Sequence, residues 1–134
     1  MPPELTAHLD RAFVRLRAAG VAFDEGDPTL RRFLLASDFA LDTLVRQPAL
    51  FATLDGPAQP PPLADAPEAD WPRLLRRWRA AESTRLVWRD VAGLDTVEQT
   101  LAGSTRLAEQ ALQAGLAALE GAFAQRHGVL RDAE

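Results

Sequence analysis

The densest group of side chains that could do chemistry lies in the stretch LRRWRAAESTRLVWRD, Leu75–Asp90. It contains two tryptophans and five of the fifteen arginines of the chain. Aromatic rings interleaved with cations on one exposed face would stack against and neutralise a single-stranded nucleic acid. A packed helix that buries its tryptophans and leaves its arginines in water uses the same residue types. The positions of these side chains around the helix distinguish it from a nucleic-acid surface.

A helix with about 100° per residue separates the two kinds of side chain. The three tryptophans of the chain fall with leucine and alanine inside one arc of about 140°, whereas Arg73, Arg76 and Arg79 point away from its centre. The pattern therefore predicts a packed helix and no nucleic-acid partner, in agreement with the net charge of −4. The inward set is Trp71, Leu74, Leu75, Trp78, Ala81 and Trp88.

Two charged residues, Glu82 and Arg85, fall on the same arc as the tryptophans. They are three residues apart, which places them within reach of each other on a helix. A charge on a buried face is costly unless it is paired and hydrogen-bonded. We therefore predict a structural polar network built on this pair, with Asp38 and Arg89 as the candidates to join it. A solvated helix edge, where the pair contributes little, is equally compatible with the sequence.

The remaining polar residues do not favour a catalytic or metal site. His8 and His127 lie far apart near the two ends of the sequence, which favours surface histidines over ligands or bases. Asp38 and Asp42 could share one side of a helix, but a helix cap and a solvated carboxylate explain them better than a metal site. Ser104–Thr105 has no base beside it. We therefore assign no catalytic, cofactor-binding or metal-ligating residue.

Helical periodicity runs through most of the chain, and no segment shows the alternation of a strand, which predicts an all-α helical bundle. With 134 residues the chain is the size of one domain. Ser37 either caps a new helix or lies inside a continuous one. The helices are predicted at about 3–19, 28–47, 48–54, 71–92 and 95–126, with a mobile, proline-rich loop at 55–70.

The predicted core gathers the largest side chains of the last two helices. Short connections imply antiparallel neighbours. On the last helix one side carries most of the large apolar residues and is expected to face inward. The predicted packing centre consists of Trp71, Trp78, Trp88, Leu101 and Phe123.

Composition excludes several classes of protein. Cysteine is absent, so there is no disulfide framework and no thiolate metal site. The N-terminal residues MPPELTAHLDRAF lack the continuous apolar stretch of a signal peptide. No run approaches the roughly 18 apolar residues of a membrane span. We expect a cytoplasmic protein with no membrane contact.

Two blocks of the sequence together resemble a known enzyme family. They are LRRFLLASDFALDTLVRQPALF and, after a variable loop, LLRRWRAAESTRLVWRDVAGLDTVEQTLAGSTRLAEQAL. The order and spacing of their short motifs resemble the bifunctional glutamine synthetase adenylyltransferase/adenylyl-removing enzyme over about residues 30–120. The motifs are Ser37-Asp38-Phe39, Gln47-Pro48 with Leu50, Arg76-Arg77-Trp78-Arg79, Glu82 with Arg85, Trp88-Arg89-Asp90, and the helix containing Thr100-Leu101 and Leu107-Ala108-Glu109.

The resemblance implies a parent enzyme with two nucleotidyltransferase-like halves, each with helices that lead into a small sheet. One half attaches AMP to a tyrosine of glutamine synthetase, and the other removes it by phosphorolysis. The implied cofactors are Mg and ATP, and the implied partners are glutamine synthetase and a nitrogen-signalling regulatory protein. The position of Met1 and the Trp88-Arg89-Asp90 motif favour the N-terminal, adenylyl-removing half.

The sequence departs from the family pattern within residues 80–84 of the predicted helix and again after the long helix. Ala80-Ala81 and Ser83-Thr84 stand where a basic residue and bulkier apolar side chains are more usual. In the family, a glycine-rich loop and an Asp-x-Asp strand follow the long helix, whereas this sequence ends in RHGVLRDAE. The resemblance therefore implies a non-catalytic fragment, the helical lead-in of a nucleotidyltransferase-like domain whose sheet is missing. The alternative is a stand-alone helical protein-interaction module.

Overall fold

The computed structural model describes residues 1–127, which form five α-helices and two short 3-10 helices without a strand. The predicted all-α fold is confirmed. The sequence also predicts the end of the last helix at His127-Gly128, and Gly128 lies outside the described residues. The helices are α1 Pro3–Ala18, α2 Pro28–Ala36, α3 Asp38–Arg46, α4 Trp71–Val91 and α5 Val97–His127, and the 3-10 helices are Pro48–Thr53 and Glu68–Asp70.

The segment predicted as one helix at 28–47 is two helices, and Ser37 separates them. Ser37 has an extended backbone, with φ −154° and ψ 112°. Its hydroxyl oxygen accepts a hydrogen bond from the Ala40 N–H at 3.1 Å. A serine cap satisfies one of the amide groups that the first helical turn leaves without an intrahelical partner. Ser37 therefore begins α3 instead of continuing α2.

The main hydrophobic core lies between α1, α2, α3, the first 3-10 helix and α4. Trp88 on α4 reaches into it and packs edge-on against Phe33, with ring centroids 5.1 Å apart. It makes a similar contact with Phe51. Other side chains of this core are Leu9, Phe13, Leu16, Leu30, Leu34, Leu44, Leu50 and Leu54.

The predicted orientation of the tryptophans on α4 is confirmed for Trp78 and Trp88, which are 5% and 8% exposed. The arginines at 73, 76 and 79 are exposed. Each buried indole N–H has an acceptor, as buried tryptophans usually do. Trp78 donates to the Gln59 carbonyl at 2.8 Å, and Trp88 donates to the Asp55 carboxylate. The face of α4 with the tryptophans is therefore a packing face.

The proline-rich segment at 55–70 packs across α4, and its last three residues form the 3-10 helix Glu68–Asp70. Its mobility stays a prediction. Leu63 is buried. The Gln59 carbonyl is held by Trp78, and Trp71 donates its indole N–H to the Ala66 carbonyl at 3.0 Å. Backbone carbonyls of this segment thus serve as hydrogen-bond acceptors for two of the indoles of α4.

The prediction that Leu101 and Phe123 belong to the core is wrong, because they are 63% and 51% exposed. α5 instead packs on α4 through the side that carries Gly103 and Leu107. A Cβ atom on Gly103 would lie 2.7 Å from the Leu86 side chain, so glycine permits the close approach of the two helices. Periodicity predicts that the side of α5 with the larger residues faces inward, whereas the side with the smaller residues packs on α4.

No helix within residues 1–127 is long and apolar enough to cross a bilayer.

The Ser37 cap predicts a measurable stability change. We expect Ser37→Ala to lower the free energy of unfolding by about 1 kcal/mol, because the Ala40 N–H loses its acceptor. Urea denaturation followed by circular dichroism measures this. Ser104→Ala, an exposed substitution inside α5, is the matched control and should change stability by less than about 0.5 kcal/mol. Equal effects of the two substitutions would contradict the capping role.

Candidate functional site

The buried charged residues Glu82 and Arg85 are the centre of a group that we call the α4 polar cluster. It consists of Glu82, Arg85 and Arg89 on α4, with Asp55 from the start of the loop and Asp95 from the α4–α5 connection. The three helical members are spaced three and four residues apart, which places them on one side of α4.

Glu82 and Arg85 form a bidentate ion pair in the protein interior. Both residues are 5% exposed. The Arg85 Nε and Nη2 atoms lie 3.3 Å from the two carboxylate oxygens of Glu82. Glu82 also accepts from the Gln59 N–H at 3.1 Å, and Arg85 also donates to the Thr53 carbonyl. The pair is therefore buried and supplied with further hydrogen bonds, the condition under which buried charges are tolerated.

Arg89 extends the cluster toward α5. Its Nε and Nη2 atoms bind the two carboxylate oxygens of Asp95, both at 3.1 Å. Its Nη1 atom donates to the Asp55 carbonyl at 2.8 Å, while the Asp55 carboxylate accepts from the Trp88 indole. The planar fork of arginine suits such two-point recognition. Arg89 thus ties the end of α4 to both segments that flank it.

Asp38 lies outside the α4 polar cluster, although the sequence offered it as a candidate member. It is the first residue of α3, and its carboxylate lies 3.2 Å from the His8 Nε2 atom of α1. The Asp38 side chain is 80% exposed. Asp38 therefore lies at the contact between α3 and α1.

Asp55 and Asp95 are cluster members that the sequence pattern did not indicate. Asp95 and Glu98, three residues apart, have the spacing of a capping box, which predicts Asp95 as the cap of the last helix. The actual cap is Thr96, whose hydroxyl accepts from the Gln99 N–H, while the Gln99 side chain accepts from the Thr96 N–H. This reciprocal threonine–glutamine box starts α5 at Val97 and leaves Asp95 available for Arg89.

An open groove of about 440 Å³ lies beside the cluster, between α4, α5 and the loop. Its walls include the cluster arginines, Arg106 and the amide side chains of Gln99 and Gln110. Both cluster arginines are already engaged by carboxylates. Within the described residues no group of three or more His, Asp or Glu side chains could hold a metal ion. The contacts of the cluster tie α4 to the loop and to the α4–α5 connection.

The buried pair predicts an asymmetric mutational effect. Glu82→Ala should lower the free energy of unfolding by about 3–5 kcal/mol, because Arg85 would remain buried without its carboxylate. The double change Glu82→Met with Arg85→Leu should cost less, because no charge is then left unpaired. Thermal or urea unfolding provides the measurement.

The matched control is Asp70→Ala, which removes the partner of Arg73 at 4.0 Å on the exposed surface. That loss should be at most about 1 kcal/mol. If Glu82→Ala and Asp70→Ala had similar small effects, the buried pair would not hold α4 in place.

Similarity to known proteins extends over nearly the whole chain. A Stenotrophomonas maltophilia protein is 55% identical over 138 residues, which cover 98% of this chain and 15% of the relative. A Xanthomonas oryzae protein is 54% identical over 96% of the chain, and a more distant Thioalkalivibrio sulfidiphilus protein is 33% identical over 98% of it. Both matches cover 15% of the relative. No protein-family model and no solved structure matches the chain.

All three relatives carry the same name, bifunctional glutamine synthetase adenylyltransferase/adenylyl-removing enzyme. The resemblance that the two sequence blocks indicated is thereby confirmed. The chain spans about 15% of the length of these relatives. It is homologous, over nearly all of its own length, to one segment of the bifunctional glutamine synthetase adenylyltransferase/adenylyl-removing enzyme family.

Proposed function

We propose that this chain is a non-catalytic helical segment of an enzyme that adenylylates and deadenylylates glutamine synthetase and thereby regulates nitrogen assimilation. One observation carries the proposal: six relatives with this name are 51–55% identical over 94–98% of the chain. The match covers 14–15% of each relative. In this proposal the segment supports the adenylyl-removing half.

The described residues support a structural role within such an enzyme. The charged groups of the α4 polar cluster are engaged with one another and with backbone carbonyls. The family's Mg and ATP need carboxylates clustered on a strand and a glycine-rich loop, and residues 1–127 do not fit that requirement. Binding of both cofactors, transfer of AMP to a tyrosine and its removal by phosphorolysis would then be the work of other segments.

The contribution of this segment would be rigidity. A catalytic site needs supporting elements that hold its side chains within about half an ångström of the productive geometry. The buried ion pair and the Arg89 fork lock α4 to the loop and to the start of α5. Contact of the parent enzyme with glutamine synthetase and with a nitrogen-signalling regulatory protein, and a cytoplasmic location, belong to the same proposal.

The alternative function, a stand-alone helical protein-interaction module, is favoured by the exposed leucines of α5. A stand-alone module would bind its partner without any contribution from the rest of an enzyme. The two functions therefore differ in whether this chain can replace the matching segment of a relative.

A segment exchange tests the proposal. The matching segment of the Stenotrophomonas maltophilia relative is replaced by this chain, and adenylylation and deadenylylation of glutamine synthetase are both measured. We expect the chimera to retain both activities. Glu82→Ala in the chimera should reduce deadenylylation more than adenylylation, whereas Asp70→Ala, the exposed control, should leave both unchanged.

The isolated chain provides the second arm. Incubated with adenylylated glutamine synthetase and phosphate, it should release no ADP. Release of ADP would contradict the non-catalytic role. A folded chimera without either activity would contradict the assignment to this enzyme and would favour the stand-alone module.

A further inference from the structure

The long helix α5 exposes a row of large apolar side chains on the side opposite its contact with α4. The row consists of Val97, Leu101, Leu112, Leu116 and Leu119, and we call it the α5 leucine face. These side chains are between 50% and 70% exposed. Large apolar side chains exposed along one side of a helix mark a site of macromolecular contact more often than an accident of composition.

The leucine face has a regular period. Leu101 and Leu112 are eleven residues apart, and so are Val97, Ala108 and Leu119. An eleven-residue repeat corresponds to about 3.67 residues per turn, so the row drifts only slowly around the helix. From Val97 to Leu119 it spans about 33 Å at 1.5 Å per residue. Such a straight, long row suits a second helix lying along α5.

A row of glutamates follows the same period along one flank of the leucine face. Glu98, Glu109 and Glu120 are eleven residues apart and exposed. In the part of the chain that the structure describes, none of the three forms an ion pair. The flank therefore carries three negative charges that a partner could neutralise.

The glutamate row argues against a second copy of this chain as the partner. Antiparallel pairing of two α5 helices brings identical flanks together, so that glutamates oppose glutamates, and like charges across an interface are unfavourable. Parallel pairing sets the glutamates opposite the other flank, where Ser104, Ala111 and Ala118 offer no positive charge. The chemistry that complements this flank is a row of arginine or lysine.

A basic partner helix can come from the same polypeptide, because most of the length of each relative lies outside the matched segment. We propose that the α5 leucine face binds an amphipathic helix from another segment of the same longer enzyme, whose apolar row is flanked by Arg or Lys facing Glu98, Glu109 and Glu120. The inference rests on the proposed function only in treating this chain as part of that enzyme.

Photo-crosslinking in the full-length chimera tests the docking. A photoreactive residue replaces Leu112, and crosslinked peptides are identified by mass spectrometry at low protein concentration. We expect crosslinks within one polypeptide, to a helical segment outside this chain that contains Arg or Lys. The control places the same residue at Arg76 on the exposed side of α4, where no crosslink to that segment should form. Crosslinks between two copies, or none from position 112, would overturn the proposal.

The charge part of the proposal has its own readout. Reversing the flank with Glu98→Arg, Glu109→Arg and Glu120→Arg should lower the yield of the Leu112 crosslink several-fold, because like charges would then oppose each other. An unchanged yield would show that the glutamates do not recognise a basic row. Sedimentation of the isolated chain should show a monomer, and a stable dimer abolished by Leu112→Ser would instead assign the face to a second copy.

The docking of the helix and the proposed function are tested separately, because the crosslink and both activities of the chimera are measured in the same preparation. An active chimera without the crosslink would refute the docking and leave the proposed function standing. An inactive, folded chimera that still forms the crosslink would do the opposite.

Discussion

The burial of one ion pair constrains the rest of this structure. Removing Glu82 and Arg85 from water costs several kcal/mol per ion, and their mutual attraction offsets this only when their other hydrogen-bonding capacity is also met. That capacity is met from outside α4, by the Gln59 amide and the Thr53 carbonyl. The position of α4 is therefore coupled to the positions of the first 3-10 helix and the loop. Elements distant in sequence are coupled through two side chains.

The same logic explains why α4 is the central element. Its tryptophans use the loop as an acceptor, and its last turn holds Asp95 at the connection to α5. One side of α4 reaches the core through Trp88, and another side receives α5 around Leu86 and Gly103. Polar contacts thus fix the position of α4 relative to its neighbours, while apolar contacts bury its inward-facing side chains.

The sequence predicted best where side-chain chemistry and period agree. The inward tryptophans of α4 followed from both, and Trp78 and Trp88 are buried as expected. The members of the polar cluster followed only in part, because Asp55 is brought to Trp88 by the path of the loop, which no local pattern encodes. Asp38 pairs with His8 of α1, another contact between distant segments that local spacing does not encode. Contacts between distant segments are a property of the assembled fold.

The prediction that the larger apolar side chains of α5 face inward was wrong for a different physical reason. An ordinary surface helix turns its largest side chains inward, yet this helix of 31 residues places Gly103 and Leu107 on α4 and directs Leu101 and Leu112 outward. α4, with 21 residues, is also too short to accompany it along its full length. Apolar side chains exposed to water contribute nothing to folding until something covers them. The side of α5 with the larger apolar residues can therefore contribute to stability only through a contact beyond this chain. The side with Gly103 and Leu107 is sufficient for the contact with α4.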